Sequence, residues 1–252
     1  MKKNKFGAIL ACRNGGTRLF GKPLQLLDIE RQVTILDYLV KQIRLAKHVD
    51  TICLAIADSK DNYVYADIAE KNGWQYIFGD TVDVLGRVVS AADKFEIDTV
   101  FRGSSESPFL FYELLDHIYE QHLNGGFDFS EFSNLPEGAG FELIKAEALK
   151  ISHAKGTSRH RSELVTSYIF DHQDNFKLNV QKPADKLQRS DVRITVDYPE
   201  DLVFCRKVYQ TLNGAKTTIK IQDVIDFWDK HKELRKPMEE IGVDWGHGRL
   251  WK

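Results

Sequence analysis

FGAILACRNGGTRLFGKPLQLL, residues 6–27, decides the reading of this chain. The apolar run from Phe6 to Ala11 has the continuous hydrophobic character of a strand buried on both faces of a sheet, and a helix pattern resumes from about Val33. Between them lies a loop with glycines at 15, 16 and 21 and cations at Arg13, Arg18 and Lys22. Glycine lets backbone N–H groups approach an anion closely, and the three cations supply charge-assisted hydrogen bonds to phosphate oxygens. Surface loops seldom gather three cations unless an anion offsets their mutual repulsion, which favours phosphate binding over a loop that merely turns. Lys22 is followed by Pro23 rather than by a hydroxyl residue, so this is not the magnesium-binding GxxxxGK(S/T) loop. Nor is it the dinucleotide fingerprint, which needs G-x-G-x-x-G and an acidic residue about 20 positions further on.

Working outward, strand patterns at Phe6–Ala11, Thr51–Ala57, Tyr76–Phe78 and Thr99–Arg102 alternate with helix patterns near 33–47, 62–72 and 82–95. This alternation predicts an α/β fold, a Rossmann-like, mostly parallel sheet with helices on both faces. Ligands of such sheets bind at the carboxyl ends of the strands, which would place the Arg13–Lys22 loop, Asp58 and the Arg102–Glu106 segment along one crevice. A helix is expected from Pro108 to about His122, broken at Asn124-Gly125-Gly126. Up to about Ser158 the pattern is of short strand-like pieces, FDFSEF and AGFELI, around Pro136-Glu137-Gly138, which suit a small antiparallel elaboration on the main sheet. A helix over Arg161–Asp171, a strand over Phe176–Val180, and a strand RITV ending at Asp197 before a helix opened by Pro199 complete the pattern. The expectation is one domain over residues 1–252, with the elaboration at about 124–190. The tail is charged from Lys230 and ends WGHGRLWK; its Trp245 and Trp251 either dock on their own chain or join a subunit contact.

A chain of 252 residues with 42% hydrophobic residues can bury a substantial core. A net charge of -2 provides no general field for nucleic acid. No run of 18 apolar residues occurs, and Met1-Lys2-Lys3-Asn4-Lys5 leads straight into the first strand rather than into a signal-peptide core, so the chain reads as cytoplasmic with no membrane partner. The three cysteines, at 12, 53 and 205, lack a CxxC spacing and read as reduced core residues. Cys12, beside the loop, also admits a nucleophile reading, although nothing nearby in sequence supplies a histidine base.

The spacing Arg13, Arg18, Lys22, with Gly21 before the lysine and Pro23-Leu24 after it, resembles the loop of cytidylyltransferases that activate sugar acids, most closely the spore coat polysaccharide biosynthesis protein F group. Further segments are similar to that family in the same order: GDTVDVLGRVVSAADKF at 79–95, FRGSSESPFL at 101–110, ELVTSYIF at 163–170 and RITVDYPEDLVFCRKV at 193–208. There are departures. Gly16 stands where the family usually has serine, Ser105-Glu106 replaces Gly-Asp, Leu164 replaces a histidine and Ser167 a proline.

The resemblance implies magnesium-dependent transfer of CMP from CTP to a hydroxyl of a sugar acid or related acid for surface polysaccharide synthesis, by a homodimer whose contact lies in the elaboration. Magnesium prefers a few carboxylates with phosphate oxygens and waters, which points to Glu106 and Asp197 as its ligands. Helix N-capping is the competing reading of Asp197, and a solvated charge that of Glu106. Arg13, Gly15, Gly16, Arg18 and Lys22 would hold the triphosphate, with Arg13, Lys22 and Asp197 serving catalysis. Asp83 and Arg87, one helical turn apart, are either nucleotide contacts or an ordinary ion pair. Arg159, His160 and Arg161, read as opening a helix, suit the acceptor's acid group or else form a surface cap; His160 is either a general base or an exposed histidine with no role. The edges of FDFSEF, if exposed, give a further physical reason for a dimer. Two other readings stand beside this one. A glycosyltransferase of similar fold would carry D-x-D after a central strand, which Ser105-Glu106-Ser107 is not, and the change to Ser105-Glu106 also suits a non-catalytic nucleotide-binding or scaffold protein.

Overall fold

A computed structural model describes residues 3–240. The first strand, β1 (Phe6–Cys12), alternates its side chains between two hydrophobic layers: Phe6, Ala8, Leu10 and Cys12 enter one, Ile9 the other. A small antiparallel pair follows the loop, β2 (Leu26–Asp28) with β3 (Val33–Thr34). Helix α1 (Ile35–Ile43) starts at a capping box, in which Thr34 Oγ1 accepts from Asp37 N at 3.0 Å and Asp37 accepts from Thr34 N at 3.0 Å. Then come β4 (Thr51–Ala57), α2 (Val64–Asn72), β5 (Gln75–Gly79), α3 (Val84–Lys94) and β6 (Thr99–Gly103), the alternation that the sequence predicts.

The expected helix over 108–122 begins later, as α4 (Leu115–Gly125). Phe109, Leu110 and Phe111 are all buried, which a helix facing one layer does not allow. Gln42, itself buried, takes over the hydrogen bonding of this extended stretch: its Nε2 donates to Pro108 O at 2.6 Å and its Oε1 accepts from Leu110 N at 2.9 Å.

The middle region adds β7 (Phe129–Phe132) and β8 (Phe141–Lys145), then a helix that the strand-like reading does not anticipate, α5 (Ala146–Lys155), made of good helix formers, AEALKISHAK. The helix expected over 161–171 is a short 3-10 turn at Ser158–Arg161 and a separate α6 (Ser167–Asp171), followed by β9 (Leu178–Gln181). RITV forms an isolated bridge, Glu137 to Arg193, rather than a ladder strand. Pro199 opens α7 (Pro199–Thr211) as expected, and α8 (Ile221–Lys230) and α9 (Lys232–Glu240) follow. The Trp245 and Trp251 tail lies outside the described residues.

The main sheet has seven strands in the order β5-β4-β1-β6-β8-β7-β9. Pairings β5-β4, β4-β1, β1-β6 and β7-β9 are parallel, and β8 runs antiparallel to both neighbours. FDFSEF is therefore no exposed edge: β7 is covered by β8 on one side and β9 on the other. Helices α1, α2, α4, α7 and α8 fill one layer, while α3, α5 and α6 fill the other.

Candidate active site

The loop after β1 is closed by a bond from Gly21 N to Asn14 O at 2.9 Å. Gly21 has φ 59°, in the left-handed region, so the reversal into Lys22 needs glycine. Asn14 N–H donates to Asn62 Oδ1 at 2.7 Å and its side-chain amide donates to Asp61 O, while Asn62 donates to Ala57 O at 2.8 Å. The base of the loop is thus tied to the end of β4. At Gly16 a Cβ would lie 2.6 Å from Leu19 O, so the loop as folded has no room for the serine common in the resembling family. Gly15 faces open space.

Lys22 is the centre of a charged group. Its Nζ lies 2.6 Å from Asp197 Oδ1 and 3.3 Å from Glu106 Oε2. Arg18 approaches the same Asp197 oxygen at 3.3 Å, with its guanidinium 4.9 Å from the centre of the Tyr198 ring. Arg13, about half exposed, faces Glu163 at 3.4 Å. Backbone contacts place the two acids. Ser105 Oγ donates to Ala11 O at 2.7 Å, fixing the segment before Glu106 to the end of β1, and Val196 N donates to Glu106 O at 3.1 Å. Asp58 is on the same sheet edge but outside this group; the Tyr63 hydroxyl meets its carboxylate at 3.4 Å.

The competing N-cap reading of Asp197 falls to a neighbour. Asp201, buried, accepts from Asp197 N at 2.8 Å and from Tyr198 N at 2.9 Å at the start of α7. That leaves the Asp197 carboxylate for Lys22, Arg18 and Arg193. Arg193 is a site residue that the sequence reading missed. Its buried guanidinium reaches Asp197 Oδ2 at 2.6 Å, Glu137 at 2.7 Å and Asp201 at 3.3 Å. The signal was available: in an extended segment, residues 193 and 197 fall on one side. Burial opposes charge on Asp197, but Lys22 and Arg193 outweigh it and hold its pKa below the usual aspartate value. Glu106 goes the other way: burial raises its pKa, and the charge of Asp197 adds to the rise while that of Lys22 offsets part of it.

Asp83 and Arg87 do not pair with each other as an i, i+4 ion pair. Asp83 caps α3 by accepting from Gly86 N at 2.6 Å and meets His153 Nε2 at 2.7 Å. Arg87 is fully buried under the same sheet edge, with Nε donating to Ala55 O at 3.3 Å and Nη1 donating to Asp80 O. The Arg159-His160-Arg161 cluster lies in the 3-10 turn Ser158–Arg161 rather than at the start of an α-helix. His160 is buried, with Nε2 3.0 Å from Asp171 and Nδ1 accepting from Thr157 N at 2.9 Å, so it is neither an exposed histidine nor a free base. Arg159 also pairs with Asp171, at 3.3 Å, and Arg161 donates to His153 O at 3.2 Å. Cys12 is no nucleophile: it is fully buried, and burial pushes its thiol up to about 12. Cys53 and Cys205 are likewise buried and free.

Among the described residues no group of three or more His, Cys, Asp or Glu could hold a metal ion by itself. Glu106 and Asp197 do present hard oxygens to one point, the Lys22 ammonium, and this two-carboxylate set suits a cation completed by phosphate oxygens and waters.

The fold is that of the α/β nucleotidyltransferases, and the chain is an enzyme of that class. The sequence model of the cytidylyltransferase family matches residues 8–221, and the chain belongs to that family. It is 26% identical over 233 residues to the spore coat polysaccharide biosynthesis protein SpsF of Bacillus subtilis, covering 92% of this chain and 97% of SpsF. A cytidylyltransferase from Leptospira borgpetersenii superposes with a TM-score of 0.81 at 20% identity, over 92% of this chain and 97% of that one. CMP:2-keto-3-deoxy-manno-octonic acid synthetase complexed with CTP superposes with a TM-score of 0.60 at 11% identity, over 85% of this chain and 100% of the synthetase.

Proposed function

We propose that this chain transfers CMP from CTP to a hydroxyl of a sugar acid or related acid, releasing pyrophosphate, in the making of a surface polysaccharide. The observation that carries the reading is the meeting of Glu106 and Asp197, from separate segments, on the lysine of a glycine-containing loop. Family membership supports cytidine, and the name of the Bacillus subtilis relative supports the pathway. For the acid group Arg159, 61% exposed, and Arg161 are the candidate contacts, while His160 is held by Asp171 and Thr157.

In the reaction, the acceptor oxygen bonds to the α-phosphorus, the bond from that phosphorus to the bridging oxygen breaks, pyrophosphate leaves and the hydroxyl proton passes to solvent. Arg13, Arg18 and Lys22 bind the triphosphate and stabilise the charge on the departing pyrophosphate, with Gly15 and Gly16 admitting its oxygens to the backbone. Glu106 and Asp197 would hold Mg2+, which when bound neutralises phosphate charge and aligns the displacement. Arg193 holds one oxygen of Asp197 and leaves the other facing the crevice. Asp83, the cap of α3, and Arg87, within that helix, would be the nucleotide contacts in this reading. Residues 1–252 act as one domain in this reading, with 124–190 serving the acceptor and a homodimer; β9, the exposed sheet edge, replaces FDFSEF as the strand to be covered. No helix among the described residues is long and apolar enough to cross a membrane.

The test is a thermal-shift comparison of CTP, UTP, ATP and GTP with Mg2+, followed by pyrophosphate release. A ligand at 100 times its Kd stabilises by about 2.7 kcal/mol, and CTP should give the largest shift. Equal shifts from all four, or none from CTP, would remove the cytidylyl reading. Release of a nucleoside phosphate from an added nucleotide sugar, with no pyrophosphate from CTP, would make the protein a glycosyltransferase.

A further inference from the structure

The three loop cations are not held alike. Lys22 lies deep in the crevice against Glu106 and Asp197, and Arg13 faces Glu163. Arg18 meets Asp197 at the oxygen that Lys22 already holds at 2.6 Å, and its own contact there is the longer, at 3.3 Å. Its second contact is of another kind. The guanidinium carbon lies 4.9 Å from the centre of the Tyr198 ring, within the range over which an aromatic face attracts a cation. A ligand affects the two contacts differently. Nucleotide phosphates compete for the loop cations, and the cation suited to Glu106 and Asp197 competes for the Asp197 oxygen, so the ion pair of Arg18 is given up on binding while the ring stays in place.

The ring is fixed from the α7 side. Tyr198 N donates to the buried Asp201 carboxylate at 2.9 Å, and the Tyr198 backbone is extended, at φ -117° and ψ 160°, which is the conformation that a following proline imposes. Pro199 and the first turn of α7 come directly after it. Arg18 has no such anchor in its own backbone: it sits midway along a loop that is closed at its ends, by Gly21 N on Asn14 O at 2.9 Å, and its side chain is 47% exposed. A long side chain of this kind gives up rotamer freedom when a ligand fixes it. A rigid ring that already holds the guanidinium plane removes part of that cost before the ligand arrives.

We propose that Tyr198 is a positioning residue for nucleotide binding: its ring seats the Arg18 guanidinium at the rim of the crevice, so that the arginine meets the triphosphate already oriented. The inference rests on the reading of the loop as the triphosphate site. The full chain with Mg2+ is titrated by calorimetry with CTP and, separately, with inorganic tripolyphosphate. Tyr198→Leu, which keeps an apolar side chain but removes the ring, should weaken both ligands about threefold, whereas Tyr198→Phe, which keeps the ring, should stay within about 1.5-fold of the parent chain. In an Arg18→Ala background the leucine substitution should change neither affinity, because the group that the ring positions is gone. Tyr198→Thr repeats the cycle should the leucine variant fail to fold. With the parent chain still binding, any of four results overturns the inference alone. Equal losses with and without Arg18 would make the contribution of Tyr198 independent of the arginine. A loss for CTP but not for tripolyphosphate would put the ring on the base. Tyr198→Phe as weak as Tyr198→Leu would make the hydroxyl the contact, and no loss in Tyr198→Leu would leave the ring without a part in binding. Failure of the parent chain to bind either ligand removes the loop reading and the inference with it.

Discussion

Two stretches of this chain carry three cationic or titratable basic residues each, Arg13, Arg18 and Lys22 in the loop after β1 and Arg159, His160 and Arg161 after α5, and they come to different ends. The loop cations reach carboxylates brought from far along the chain, Glu106, Glu163 and Asp197, and two of them, Arg13 and Arg18, are about half exposed at contacts of 3.3–3.4 Å that a ligand can displace. The second group makes its contacts close to home, Arg159 and His160 with Asp171 and Arg161 with the His153 carbonyl; His160 is buried and bonded at both ring nitrogens, while Arg159 is as exposed as the loop arginines. What separates the two clusters is where their partners come from: across a crevice for the loop, and within the same local fold for the second.

The sharpest way to break this contrast is at Asp197. Asp197→Asn should lower turnover by about two to three orders of magnitude, since it removes the charge shared by Lys22, Arg18 and the proposed cation. Folding should survive, because the cap of α7 belongs to Asp201; Asp201→Ala, which leaves Arg193 and two backbone N–H groups short of a partner, should cost about 3 kcal/mol in chemical denaturation. Full activity in Asp197→Asn at saturating CTP and Mg2+ would dissolve the site.

Next in size is the loop itself. Lys22→Ala should weaken CTP binding by one to two orders of magnitude, and Arg13→Ala by less, since its side chain is 55% exposed against 12% for Lys22. Titration calorimetry giving parent affinity for both variants would show that the loop does not hold phosphate. For the other cluster the expectation is reversed: Arg159→Ala and His160→Gln should leave CTP affinity within about twofold, while His160→Gln loses about 1 kcal/mol of stability. A large loss of CTP affinity in either would show that the two clusters are functionally alike.

The smallest effect sharpens the chemistry of the acid pair. The Glu106 pKa is raised in the folded protein, so its ionised form opposes folding: its favourable contribution is complete below the unfolded glutamate value of 4.5 and is lost as pH rises through the raised one. Glu106→Gln should therefore stabilise the ligand-free chain near pH 7, and the gain should vanish below about pH 4.5. Asp197 has the opposite sign, its stabilisation being present above 3.8 and lost as pH falls through its lowered pKa. A Glu106→Gln gain that persists at low pH would show packing, not charge, as its origin.

The alternation of apolar runs with amphipathic ones was enough to determine β1, β4, β5, β6 and the helices between them, because local periodicity and the demand that parallel strands be buried on both faces allow little else. The same holds for the Arg13–Lys22 loop, whose glycines and charges are local properties of the chain. Periodicity failed where burial is not one-sided or where pairing is remote. Phe109–Phe111 look helical but are buried all round and bonded by Gln42; FDFSEF looks like an edge until β9 covers it; α5 was hidden behind neighbouring turns. At the site, Asp197 and Glu106 were legible from the resembling segments, but that Asp201 caps α7 while Asp197 turns to Lys22 was not, since both carboxylates also touch the buried Arg193. Only the tertiary structure decides that, because an ion pair's partner is set by position in space and by the desolvation of both groups, and neither is written in sequence spacing.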